Sequence, residues 1–318
     1  MRLNRDLVTI PREHSFQEKR RDRVAEMALL CVALASVLLF PWTAGTGASR
    51  QSGIENPPRT YLGFDANDYP GDDALPGLRR TFAFSGYWLN APPGAKANSW
   101  IGKRAELLKN GFGFLVLFNG RLAKELQPPV DASDLGARDA AVAVAAARRE
   151  GFSAGNGNQI VIFLDIEEGG RMYPAQIKYI RGWSGRVATG GFVAGVYCSG
   201  MKVKEGEGKT ITTAADIHER APVAAYFIYN DECPPSPGCV YLKNPPAPSQ
   251  SGFSDANVWQ FAQSPRRRNF TVSCASTYSS DGNCYLPAST AASHFLLDLD
   301  SSVSADPSTM KIRIELQD

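Results

Sequence analysis

The sequence predicts a single (β/α)8 TIM-type barrel, irregular in its C-terminal third and preceded by an N-terminal hydrophobic leader. Three observations predict it. Eight apolar, strand-like runs occur at residues 61–65, 81–89, 113–119, 159–167, 191–199, 223–230, 257–262 and 293–300. Helix-like segments separate the earlier runs, and strands alternating with helices imply a parallel sheet. Nearly every run also ends in a polar or aromatic residue, as the C-terminal mouth of such a barrel requires. A doubly wound open sheet is the competing architecture.

The elements follow in order. The run at 61–65 ends in Asp65, and that at 81–89 holds Trp88 just before Asn90. Residues 98–110 read as a helix, with Asn98 as its N-cap and Gly111 as its stop. The strand at 113–119 ends in Asn119, with Arg121 just beyond. Residues 131–151 are Ala-rich, with Arg148 and Arg149 in the last turn, which suits a helix and its dipole. A further helix over 174–188 opens with Pro174 in its first turn. After residue 230 the chain is rich in Pro, Ser and Gly and short of helices.

The run from Gln159 to Glu167 carries the strongest chemical signal. Its apolar core reads as a strand buried on both faces. Side chains alternate along a strand, so Asp165 and Glu167 leave one face, with Cα atoms roughly 6.6 Å apart. Paired carboxyls at a barrel mouth are the equipment of glycosidic-bond hydrolysis, where one donates a proton and the other stabilises or attacks. Solvated acids at a strand end are the plainer reading. Acids also end the first run (Asp65) and the eighth (Asp298 and Asp300), and an acidic cleft explains all of them together. Trp88, Tyr197, Tyr229 and Trp259 are placed to offer aromatic faces to sugar rings, although such residues also cap cores. Gln260 and Asn119 stand at the same level.

Composition bounds the alternatives. The 318 residues are 43% hydrophobic and 21% charged, with a net charge of +2. That is ordinary globular composition and gives no broad basic field for nucleic acid. Arg266, Arg267 and Arg268 form a short basic run in a loop, read as solvated rather than as a site for an anionic polymer. The three histidines, at 14, 218 and 294, lack ligand spacing, and the cysteines form no CxxC pair. Neither a metal nor another cofactor is expected.

The first 48 residues form the leader. Basic residues precede an uncharged run at 27–42 (MALLCVALASVLLFPW), and small residues follow. Sixteen helical residues span roughly 24 Å, short of a ~30 Å hydrocarbon core. The pattern reads as a signal peptide or as an uncleaved signal anchor with its N-terminus inside. Arg20-Arg21 hints at twin-arginine export, but charged residues follow where apolar ones are expected. A linker spans 49–60, the barrel spans 61–318, and membrane contact is expected only through the leader. Export fits the cysteines. Cys233 with Cys239, and Cys274 with Cys284, each flank a short loop and suit local disulfides, whereas Cys198 reads as a buried thiol. Cys31 lies within the leader.

Taken in order, these motifs resemble those of family 25 glycoside hydrolases, the muramidase-type lysozymes. Gly63-Phe64-Asp65 is similar to their first-strand Gly-Ile-Asp, and Asp165-Ile166-Glu167 to their fourth-strand Asp-x-Glu. Gly195-Val196-Tyr197-Cys198-Ser199, Trp259-Gln260-Phe261 and the closing Asp298-Leu299-Asp300 complete the series. A closer resemblance is to the secreted bacterial glycoside-hydrolase-like barrels catalogued as domain of unknown function 1906. The chain departs from the lysozymes in its Cys-bracketed insertions and in Gly86-Tyr87-Trp88-Leu89, where many relatives carry Arg-Tyr. The resemblance implies a cell-wall or N-acetylated glycan, with Glu167 as general acid, Asp165 and Asp65 assisting, and Asp298 positioning water or sugar. A monomer is expected. Two other classes compete with the hydrolase: a catalytically inactive glycan-binding envelope protein on the same barrel, and a structural envelope protein whose acids only hydrate the cleft.

Overall fold

The computed structural model describes residues 59–155, 157–269, 271–286 and 295–311. The leader, most of the linker, Cys31 and the start of the run expected at 293–300 lie outside them. Strands β1 (Tyr61–Asp65), β2 (Phe84–Trp88), β3 (Gly113–Asn119), β4 (Asn158–Asp165) and β5 (Val193–Ser199) run parallel in sequence order. Helices α1 (Leu75–Arg79), α2 (Arg104–Lys109), α3 (Ala132–Arg149) and α4 (Pro174–Thr189) return the chain between them. A two-stranded hairpin, β6 (Val203–Lys204) and β7 (Thr210–Ile211), precedes α5 (Thr213–Arg220). Strand β8 (Ala225–Tyr229) then pairs in parallel with β5, and β9 (Val258–Ala262) with β8.

Closure corrects the expectation of eight parallel strands. The last barrel strand, β10 (Asp298–Ser302), lies between β9 and β1 and is antiparallel to both. Among the described residues no α-helix separates β9 from β10, only a short 3-10 helix at Val272–Thr277, and β10 starts back from the mouth without a return to the base. The sheet is closed, with eight strands around it, and the open-sheet alternative is excluded. The short β11 (Thr309–Lys311) pairs with the first residues of β4. Just before it, Asp306 and Ser308 accept hydrogen bonds from the Phe114 and Val116 amides (2.7 Å each), so this segment fills the gap between β3 and β4 at the base. No sequence pattern signalled that segment.

Large and small residues alternate inside the barrel. A Cβ at Gly63 would enter the Phe84 ring, and one at Gly195 would enter the Phe163 ring. The two glycines therefore leave the space that the phenylalanines fill. The helix starting at residue 98 proves shorter: Asn98 caps only the turn at Trp100 (2.9 Å), and α2 begins at Arg104. Asp131 does cap α3, accepting from the Ser133 and Asp134 amides. Among the described residues no helix is long and apolar enough to cross a membrane.

Helices α3 and α4 touch backbone to backbone. A methyl at Gly136 would strike the Tyr179 carbonyl, and one at Gly182 the Ser133 carbonyl, whereas a methyl at Gly185 meets nothing. Gly136→Ala and Gly182→Ala are each expected to lower stability by about 1–3 kcal/mol through overpacking. Gly185→Ala is expected to leave it unchanged or raise it by up to about 1 kcal/mol through helix propensity. Urea midpoints of the three variants check this, and a Gly136→Ala protein as stable as wild type would contradict the packing argument.

Candidate active site

Strand order carries the acids to one mouth. Asp65 ends β1 and pairs in register with Asp298, the first residue of β10. Asp298 thus reaches the mouth because its strand starts there, not because it ends there. Asp165 ends β4, flanked in register by Asn119 and Tyr197. Glu167 follows two residues later on the same side as Asp165. Asp65, Asp165, Glu167 and Asp298 line a cleft of about 340 Å³ together with Trp88, Tyr197 and Gln260. Asp165 and Glu167 also line an adjoining hollow beside Asn119 and Arg121, so the pair stands between two spaces.

A hydrogen-bond network orders the floor. The Gln260 amide donates to Asp65 (2.7 Å) and Asp298 (3.3 Å), and its carbonyl accepts from the Tyr197 hydroxyl (2.7 Å) and the Gln263 amide (2.8 Å). The Ser264 amide donates to Asp298 (2.6 Å). The Trp88 indole donates to the Ala66 carbonyl (3.2 Å). Glu168, adjacent in sequence to Glu167, is turned away: it accepts from the Ala123 amide (2.8 Å) and the Gln176 side chain (2.6 Å). Of the two neighbouring glutamates, only Glu167 is left to face the cleft.

No cation compensates the cluster within the cleft lining. Burial therefore pushes Asp65 up to about 6, against the opposing pull of Gln260. Asp165 is raised well above the usual carboxylate range by burial, then by Glu167 and Asp65. Asp298 is raised by burial and by Asp65. Glu167, although solvent-exposed at its tip, is raised by partial burial and by Glu168. The arrangement shifts its acids toward their protonated forms, and the most accessible of them is Glu167. Among the described residues no group of His, Cys, Asp or Glu is arranged to hold a metal.

Three expected cleft residues stand elsewhere. Trp259 alternates with Gln260 on β9, so its ring lies on the outer side of the strand, fully buried, with the indole donating to the Asn230 carbonyl (2.9 Å). Tyr229 stacks on Tyr197 (5.3 Å between centroids), and its hydroxyl donates to the Glu167 backbone carbonyl (3.2 Å). It props the chain just beyond the end of β4 and is not among the residues that line the cleft. Asp300 pairs with Gly63 and Gln260 one step below the mouth, is fully buried, and neither of its oxygens meets a donor. Asn119 borders the adjoining hollow, with its amide bound to the Ala91 carbonyl (2.9 Å). The cleft also includes Asn67, Pro93, Gln263, Ser264 and Pro265. Asn67 shares the parity of Asp65 and was legible in principle. The others sit on loops whose path no pattern reveals.

The Cys-bracketed insertions reach the cleft indirectly, through Ser264. Their disulfides are not local: Cys233 bonds Cys274, and Cys239 bonds Cys284. They tie the two insertions to each other, because the loops following β8 and β9 lie side by side at the mouth. The Cys284 amide donates to the Ser264 hydroxyl (2.8 Å), which links the second disulfide to the residue that holds Asp298. Arg267 is not a solvated loop residue. It pairs with buried Asp231 and covers the Tyr229 ring (5.3 Å). Cys198 is the free, buried thiol expected.

Residues 94–231, which include the Asp165–Glu167 pair, match the family model of the Rv2525c-like, glycoside hydrolase-like domain. The domain match begins after β2 and ends just past β8, so Asp65 and Asp298 lie outside it. An uncharacterized protein of B. stearothermophilus is 18% identical over 76% of this chain and 94% of its own, with a TM-score of 0.45. The catalytic domain of the endolysin Ply40 from bacteriophage P40 of Listeria monocytogenes is 12% identical over 78% of this chain and 95% of its own (TM-score 0.43). The modular autolysin LytC from Streptococcus pneumoniae is 10% identical over 76% of this chain but 46% of its own (TM-score 0.40). No curated protein matches the chain.

Burial of protonated acids has a thermodynamic signature. A carboxyl that keeps its proton when folded and loses it when unfolded favours unfolding as pH rises. The Asp65 contribution is complete below its ordinary 3.8 and is lost as pH climbs through about 6. Asp300, raised by burial and by both neighbouring aspartates, extends the loss upward. Melting temperature is therefore expected to be higher at pH 5 than at pH 7. Asp300→Asn is expected to flatten that slope and to stabilise the protein at pH 7 by on the order of 1 kcal/mol. Thermal unfolding across that range decides it; a steeper slope in the variant would refute the assignment.

Proposed function

We propose that the cleft hydrolyses a glycosidic bond in a cell-wall or N-acetylated glycan, with Glu167 as the general acid. One observation carries the reading: Glu167 is a cleft-facing acid that keeps its proton above the usual glutamate range, beside a second carboxyl on the same strand end. A general acid needs contact with the leaving oxygen and a proton to give at the working pH. Glu167 has both.

Asp165 assists from below. Burial and two neighbouring acids oppose its ionisation, so a role in orienting the sugar, for example by holding an acetamido group, suits it better than direct attack. Asp65, anionic above about 6 and held by Gln260, positions water or the sugar at the floor. Trp88 and Tyr197 offer aromatic surface to the sugar. No cofactor enters the reaction. Export through the 1–48 leader, a barrel over 61–318 and action as a monomer belong to the same reading, and the two disulfides suit an oxidising compartment. A second reading, a glycan-binding protein without turnover, draws on one observation: Asp165, Asp298 and Asp300 are all driven toward their neutral forms, which leaves few anions to stabilise a developing cation.

Glu167→Gln is expected to retain the fold and glycan binding while lowering release of reducing ends from peptidoglycan or chito-oligosaccharides by about 10²–10⁴-fold. Wild-type turnover should fall as pH rises through the raised Glu167 value. Equal turnover by both proteins would remove Glu167 from the mechanism. Retention of wall glycan in a pull-down by both proteins, with release by neither, would establish the binding reading instead.

A further inference from the structure

The base of the barrel, opposite the acidic mouth, is basic. Each helix brings the chain down from the mouth to the start of the next strand, so helix C-termini lie at the base. Their last turns carry Arg79, Lys109, Arg148, Arg149, Arg186 and Arg220. The helix dipole accounts for cations there. It accounts for Arg80, at the C-cap of α1, but not for Arg59 and Lys243, which lie on irregular chain. With Arg79 these three line one hollow of about 400 Å³ beside the start of β1, and no acidic residue lines it. Arg79 is engaged with the Gly111 (2.9 Å) and Phe82 (3.2 Å) carbonyls; Arg59 lies over the Tyr61 ring (4.9 Å).

The chain enters the barrel at this same end, since Tyr61 opens β1 there. Sixteen residues, 43–58, separate Arg59 from the uncharged run at 27–42. Fully extended they reach at most about 56 Å. Screening limits attraction between exposed charges to about 8 Å at physiological salt. A tether of that reach brings the base to an adjacent surface often enough for short-range attraction to act, and it is attached on the basic side.

We propose, resting on the signal-anchor reading of the leader, that the base of the barrel docks on the anionic lipid headgroups of the membrane that this anchor would enter, with Arg59, Arg80 and Lys243 meeting the phosphates. Basic segments next to a membrane-embedded run are drawn to anionic lipid in this way. The residues lining the mouth include no cation and offer that surface nothing to bind. The cleft then opens away from the membrane. The proposal is independent of turnover.

The test uses the full chain in nanodiscs of phosphatidylcholine alone or with phosphatidylglycerol, with amine acylation read residue by residue by mass spectrometry. Lys243 reports on the base, and Lys96, in a hollow beside Asn67 and Pro93, reports on the mouth. Phosphatidylglycerol is expected to slow Lys243 acylation several-fold and to leave Lys96 unchanged. Arg59→Glu combined with Arg80→Glu is expected to restore the Lys243 rate. Equal Lys243 rates in the two nanodiscs, or protection of Lys96 as strong as that of Lys243, would overturn the proposal.

Discussion

Closing the sheet with an antiparallel strand is the constraint on which the site depends. A parallel eighth strand would present its last residues at the mouth. Strand β10 presents its first, and so sets Asp298 against Asp65 and sinks Asp300 one step below. Three carboxyls then share a small volume with Asp165, and no cation enters among them. Gln260 is the one side chain bridging two of these acids, and it can do so because the β9 register puts it opposite Asp300. An amide can donate to two carboxyls without adding charge, which leaves the acids to resolve their repulsion by holding protons.

That arrangement trades stability for chemistry. Buried, unpaired carboxyls disfavour folding at neutral pH and are tolerated only where the surrounding scaffold is rigid. The rigidity here is visible in the layered phenylalanines and the glycines that admit them, and in the backbone contact of α3 with α4. The mouth needs a different restraint because, among the described residues, only short 3-10 helices follow β8 and β9. Two disulfides and the Arg267–Asp231 pair hold the long loops there, and through Ser264 they reach Asp298.

The structure also separates side chains that look equivalent on paper. Glu167 and Glu168 are adjacent acids after a buried strand; partners on Ala123 and Gln176 turn Glu168 away. Tyr197 and Tyr229 both stand near strand ends, yet Tyr197 lines the cleft and Tyr229 instead holds the Glu167 carbonyl.

The sequence by itself determined the barrel, the positions of seven of its eight strands, the gathering of Asp65, Asp165 and Glu167, and the buried state of Cys198. Those follow from local pattern: apolar runs of strand length between turn signals read as buried strands, and parity sets which residues share a face. Tertiary structure alone decided the direction of β10, the crosswise disulfides, the burial of Trp259, and the Asp306–Lys311 segment that completes the base. Each depends on which distant segments become neighbours. Strand direction leaves no mark on a pattern of period two, and cysteine spacing records loop length, not which loops lie side by side.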